Sequence, residues 1–217
     1  MNREEIGAKH TRPHPKRRAT NERRRPSPIM LAAAVLGVAA LAVTFALLGR
    51  GQQASAPTGS QLNKPAPAFD ETNAITGEPV SSDSLRGKNV LLFFSEGVMC
   101  QACFQQIQAL EAREAELKQR GLVLVNITND RAGDAQQAAA TYRLSTPLIA
   151  DEDRNMSSAY NVLGQGMHPN TAGHTFILVD RAGIIRWRRD YWLGSDPTMY
   201  VKPDKLFADI PKLSATG

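Results

Sequence analysis

Cysteine is nearly missing from this chain: two residues in 217, Cys100 and Cys103. With no second pair, a structural zinc site falls short of its usual four ligands. No cysteine lies beside the long apolar run to take a lipid. No internal repeat is present, and charge is absent from Ile29 to Leu48. Residues 1–27 hold nine Lys or Arg against three Asp or Glu, while the whole chain is only +5, so the remainder is slightly acidic. The basic character therefore belongs to one tail. Arg23-Arg24-Arg25 reads as a topology signal, and nucleic-acid binding is disfavoured.

What is there centres on Cys100-Gln101-Ala102-Cys103. Ahead of it, Val90-Leu91-Leu92-Phe93-Phe94 is a short β-branched and aromatic run ended by Ser95-Glu96-Gly97, which predicts a buried strand followed by a loop. Beyond it, Phe104, Ile107, Leu110 and Leu117 recur at helical spacing up to Gly121. The pair therefore opens a helix. Unpaired N–H groups and the macrodipole at a helix start stabilise a thiolate, lowering the first cysteine below its usual ~8.5. Cys100 is the predicted nucleophile, and Cys103, one turn on, the resolving thiol. A purely structural disulfide closing so short a loop would stabilise little.

The uncharged stretch 29–48 is about the length a helix needs to cross a bilayer. By the positive-inside rule its basic flank stays cytoplasmic and the C-terminal bulk is exported, where disulfides persist. Ala54-Ser55-Ala56 offers a cleavage pattern, but Pro57 follows at once, which favours a retained anchor. The expected layout is a basic cytoplasmic tail over 1–27, a transmembrane anchor over 28–49, a flexible linker over 50–64 and one domain over 65–217.

Within that domain, Leu122 to Ile127 predicts a second buried strand and Asp134 to Arg143 an alanine-rich helix. Pro147 to Ala150 predicts a short strand, and a helix capped by Asp153 runs to Tyr160. Thr175–Asp180 and Gly183–Arg188 predict a hairpin, and Pro203 begins a last helix. Parallel βαβ units followed by an antiparallel hairpin predict an α/β domain: a mixed sheet with helices on both faces.

Over about Pro65 to Ile210 the chain resembles the thioredoxin-fold redoxins, the alkyl hydroperoxide reductase/thiol-specific antioxidant group and its membrane-anchored thiol-disulfide oxidoreductase relatives. The matching residues are Ala66-Pro67-Ala68-Phe69, Gly87 to Phe94, and Thr175-Phe176-Ile177-Leu178-Val179-Asp180 with Gly183. The resemblance implies a thioredoxin-like three-layer sandwich, preceded here by one transmembrane helix. It implies exchange with protein thiols or disulfides outside the cytoplasm, apocytochromes or secreted proteins among them. Electrons would come from a membrane or exported redox partner, with no organic cofactor and no metal.

Five departures from the family pattern bear on chemistry. Met99 stands where thioredoxin-like enzymes carry Trp, and Gly173-His174-Thr175 where they place a cis-proline. Peroxiredoxin-like enzymes need Thr three residues before the cysteine and Arg near the hairpin strand; Gly97 holds the first position, and Gly173 or His174 the second. Those donors stabilise charge that develops as a peroxide bond breaks, so a thiol peroxidase is the less favoured alternative. The buried carboxylate of thioredoxin-like enzymes is missing from Leu92 and Phe93. Glu96 is the nearest acid, read as an exposed loop carboxylate.

A second alternative is a copper(I) metallochaperone-like site of Cys100, Cys103 and His174, with soft Met99 nearby and Met167-His168 in the next loop. His174 is read first as a core histidine, and His168 as a surface one. The cluster Arg186, Trp187, Arg188, Arg189, Tyr191 and Trp192 reads as an edge strand with alternate residues facing solvent and core.

Overall fold

A computed structural model describes residues 61–193 and 196–213. The sequence most able to bury both faces forms the centre: β3, Asn89–Ser95, is buried at every position. Its odd residues Leu91 and Phe93 point into one apolar cluster and its even residues Val90, Leu92 and Phe94 into another. This is the period-two alternation of a strand covered on both sides.

The other elements assemble on β3 in chain order. A small antiparallel pair, β1 (Asp70–Thr72) and β2 (Pro79–Ser81), precedes it. Two helices follow, α1 (Gln101–Glu111) and α2 (Glu114–Gln119). They lead into β4 (Leu122–Thr128), parallel to β3 in register Asn89 to Leu122 through Ser95 to Thr128. Helix α3 (Ala132–Tyr142) returns the chain to β5 (Leu148–Ala150), parallel to β4. After α4 (Asn155–Ala159) and a loop, β6 (Thr175–Val179) runs antiparallel to β3 on its other side. β7 (Ile185–Asp190) closes the hairpin, and α5 (Pro203–Asp209) ends the fold.

The sheet order is β5-β4-β3-β6-β7. Residues of α1, α2, α3 and α5 share the cluster that holds Leu91, Phe93, Phe176 and both cysteines. On the other face Met156 of α4, with Tyr160 and Val80, packs on Val90, Leu92 and Phe94. The α/β reading with a mixed five-stranded sheet is therefore borne out.

Several details differ from the sequence reading. The helix expected to run unbroken to Gly121 breaks at Ala112 and Arg113. There the Arg113 side chain turns to Asp204 and Glu116 instead of extending the stripe. The β1–β2 pair was not anticipated, since three-residue strands of mixed polarity carry no periodic signal. Asn63 and Lys64, expected in the linker, already hydrogen-bond to Ile185 of β7. The expected tail over 1–27, the anchor over 28–49 and most of the linker lie outside the described residues. No helix among the described residues is long and apolar enough to cross a membrane.

Register brings two segments to one place. Phe93 pairs with Phe176 and Phe94 with Thr175, so the end of β3 that feeds the cysteine loop lies beside the start of β6, directly after His174. The Phe93 and Phe176 rings stack at 4.3 Å beneath that junction. Phe176→Ala should lower the free energy of urea unfolding by about 3–5 kcal/mol, the usual cost of a fully buried aromatic truncation, whereas the same measurement on exposed Leu62→Ala should change by less than about 0.5 kcal/mol.

Candidate active site at the mouth of α1

Cys100 is the N-cap residue of α1, and its Sγ accepts a hydrogen bond from the Cys103 N–H at 3.2 Å. Sulfur thus takes the place a Ser or Asp oxygen normally fills at a helix start, meeting an otherwise orphan donor. The two cysteines are joined in a disulfide with Cα atoms 5.3 Å apart. On reduction, the same N–H and the helix dipole face the Cys100 sulfur and favour its anion. Cys103 is wholly buried, while Cys100 keeps 4% of its surface open, so the sulfur a partner can reach is that of Cys100. Val98 and Met99 rim it, with Met99 87% exposed.

The loop between β3 and α1 is held from beneath. The Val98 N–H donates to Asp130 Oδ2 at 2.9 Å, and Cys100 N–H to the Gly97 carbonyl at 2.9 Å. Burial raises the Asp130 carboxyl above its ordinary range. Gly97 has φ +98, and a Cβ there would run into the Asp130 carboxylate. No side chain, threonine included, fits at that position while Asp130 holds Val98.

Glu96 corrects the sequence reading. It is buried, and its Oε1 accepts from the Met167 N–H and, at 3.3 Å, from the His168 N–H. His168 is itself exposed as expected, its Nδ1 3.6 Å from Glu96 Oε2. A carboxylate next to the cysteine loop thus anchors the 161–173 loop. The same loop is clamped by Arg188, which donates to the carbonyls of Tyr160 at 2.7 Å and Asn161 at 2.8 Å and to Gln165 Oε1 at 2.6 Å. Arg188 is thereby mostly covered rather than an ordinary edge-strand cation. The loop passes so close to Gly173 that a Cβ on Gly173 would collide with the Gln165 carbonyl oxygen. The position ahead of His174 therefore admits neither the arginine of peroxiredoxin-like sites nor a proline ring in this arrangement.

His174 is wholly buried, with Nδ1 3.8 Å from Cys103 Sγ and Nε2 3.4 Å from Gln106 Oε1. Phe93 and Phe176 flank its ring with centroids 4.7 and 5.6 Å away. This apolar burial takes the imidazole down from 6.5 to about 3, leaving it neutral at ordinary pH. Of the residues predicted for a copper(I) site, the fold brings Cys100, Cys103 and His174 together, with His174 touching Cys103. Met99 lies out at the surface. Among the described residues no group of three or more His, Cys, Asp and Glu is arranged to hold a metal ion. Sequence reasoning missed Gln106, Asp130 and Gln165, because each acts through a partner distant in sequence; only the mid-helix position of Gln106 on the apolar face hinted at a role.

Two outcomes follow. Unfolded His174 takes up its proton below about 6.5 and the folded side chain only near 3. Its stabilising contribution is thus complete above about 6.5 and is lost as pH falls through that window, by up to about 1.4 kcal/mol per pH unit. Urea unfolding at pH 7, 6, 5 and 4 should show a shallower decline in His174→Asn than in the parent. Gly173→Ala should loosen the 161–173 loop and raise its amide exchange, whereas Gly133→Ala, in α3 with open space around it, should be neutral or stabilising by up to about 1 kcal/mol.

Comparison with known proteins agrees with this architecture. Peroxiredoxin Q, chloroplastic, of Triticum aestivum is 26% identical over 159 residues, covering 71% of this chain and 73% of that protein. Peroxidoxin BcpB of Mycobacterium tuberculosis superposes with a TM-score of 0.57 at 19% identity, over 69% of this chain and 95% of that one. A proposed protein disulfide isomerase of Bacteroides thetaiotaomicron gives 0.52 at 20% identity, over 68% and 84%. At these identities the two structures speak for the fold alone. The AhpC/TSA family matches residues 62–188, more than half of the chain and inclusive of both cysteines and His174. The protein belongs to the AhpC/TSA family, the thioredoxin-fold redoxins.

Proposed function

We propose that this redoxin is a thiol-disulfide oxidoreductase that cycles between the Cys100–Cys103 disulfide and the dithiol, acting on protein thiols or disulfides outside the cytoplasm from a membrane anchor over 28–49. The observation that carries the chemistry is a disulfide whose outer sulfur caps a helix and whose inner sulfur is sealed beneath it. The Cys100 thiolate attacks a partner disulfide, and Cys103 then attacks Cys100 and releases the partner as a thiol. Run backwards, the same steps oxidise a partner dithiol. The anchor is supported by the uncharged run 29–48 behind its basic flank.

A thiol peroxidase is the second reading, favoured by the names of the relatives. Against it stand the two places where peroxide-orienting donors would arise: Gly97, where a Cβ would meet the Asp130 carboxylate, and the Gly173-His174 position, where a Cβ on Gly173 would meet the Gln165 carbonyl and His174 is a buried imidazole rather than an arginine. Peroxide cleavage without such donors forfeits most of its transition-state stabilisation.

The test is made on the full-length chain. In glutathione buffers it should show a single two-electron transition by mass. Cys103→Ser should trap a mixed disulfide at Cys100, and Cys100→Ser should trap none. Hydrogen peroxide should oxidise the reduced chain no more than about tenfold faster than a free cysteine thiolate. Rapid peroxide consumption through a Cys100 sulfenic acid would replace the exchange reading with the peroxidase one.

A further inference from the structure

Beneath the cysteines lies a polar chain that disulfide formation alone does not require. Gln106 is wholly buried on α1, one turn below Cys103, and its Oε1 accepts the Val201 N–H at 2.7 Å. That bond fixes the amide orientation, since the reversed amide would set N–H against N–H. The atom facing His174 Nε2 at 3.4 Å is therefore an acceptor, and the imidazole must donate from Nε2. Nδ1 is left as a bare lone pair, 3.8 Å from Cys103 Sγ. The titratable groups in contact with the ring are Cys103 from α1 and Tyr191 after β7, whose hydroxyl donates to Asp209 of α5. Among the described residues no carboxylate hydrogen-bonds to the imidazole.

On the thiol-exchange reading above, we propose that His174 Nδ1 is the proton acceptor for Cys103 in the resolving step, with Gln106 as the positioning residue that holds the reactive tautomer. A cysteine closed off from water has no bulk base to ionise it, and a neutral imidazole in contact is the group able to do so. In the mixed disulfide, the Cys103 proton moves to His174 Nδ1 in concert with the attack of the Cys103 sulfur on Cys100, since burial disfavours a free imidazolium beforehand. The Cys103–Cys100 bond forms as the bond from Cys100 to the partner sulfur breaks, and the electron pair leaves with that sulfur. The imidazolium, disfavoured in its apolar pocket, gives up the proton to the departing thiolate. Two protein sulfurs are oxidised, and the partner disulfide is reduced to two thiols. In the opposite direction the partner thiol gives its proton to His174 Nδ1, its sulfur attacks Cys100, the electron pair of the Cys100–Cys103 bond leaves with Cys103, and His174 returns that proton to Cys103.

The full-length chain and its His174→Asn variant, which keeps a polar atom near Nδ1 but cannot take a proton, would be followed by rapid quench and mass spectrometry with oxidised glutathione as the probe. The expected result is mixed-disulfide formation at Cys100 within about twofold of the parent, with resolution slowed at least about tenfold at pH 7. The deficit should shrink only at alkaline pH above the ~8.5 of an exposed thiol, since burial delays the unaided ionisation of Cys103. Resolution at the parent rate, or a deficit independent of pH, would overturn the role of His174 while leaving the exchange reading intact. A parent that forms no mixed disulfide would remove both. A measurement on the unmutated oxidised chain needs no variant to fold: long-range proton–nitrogen NMR of the imidazoles should show His174 protonated at Nε2 alone. Protonation at Nδ1 would refute the assignment.

Discussion

Everything distinctive here depends on a sulfur atom serving as a helix cap. The N-terminus of α1 presents donors that backbone geometry leaves unpaired, and Cys100 Sγ meets one of them. A neutral thiol is a weak acceptor, while a thiolate or a disulfide sulfur freed by reduction gains from both the N–H and the dipole. Helix geometry then sets Cys103 one turn on, within bonding reach and turned inward. Redox chemistry is thus built into the start of a secondary-structure element rather than into a pocket.

The strand pairing decides what lies underneath. Because β6 runs antiparallel to β3, the residue that precedes β6 arrives beneath the loop that follows β3, and that residue is His174. The same junction is closed from the side by the 161–173 loop, tied to Glu96 and Arg188. Two glycines, 97 and 173, are required by these approaches, so the loop packing and the absence of donor side chains at those positions have one physical origin. On a scaffold shared with peroxiredoxins, the floor beneath this cysteine pair is a buried imidazole and a buried amide.

The sequence revealed much of this frame. Short continuous apolar runs identified β3, β4 and β6, the cysteine spacing located the start of α1, and His174 was legible as a residue facing the pair once β6 was recognised. Long-range polar pairings were not legible. Nothing adjacent to Glu96 says that it meets amides 71 and 72 residues away, so the surface preference of Glu misled. Nothing beside Gly97 announces Asp130, and after the break that follows Glu111, Arg113 meets Asp204 on α5, 91 residues away. Strand and helix patterns are local, whereas the atoms that shape this site come from five segments of chain.

The central claim is that a reactive sulfur anion sits at the mouth of α1. Its most direct measure is the rate of alkylation of the fully reduced, folded chain by a small iodoacetamide at pH 7, with modified sites read by peptide mass. Cys100 should react faster than an unperturbed cysteine and Cys103 far more slowly. Equal, sluggish reaction at both sulfurs would contradict the account.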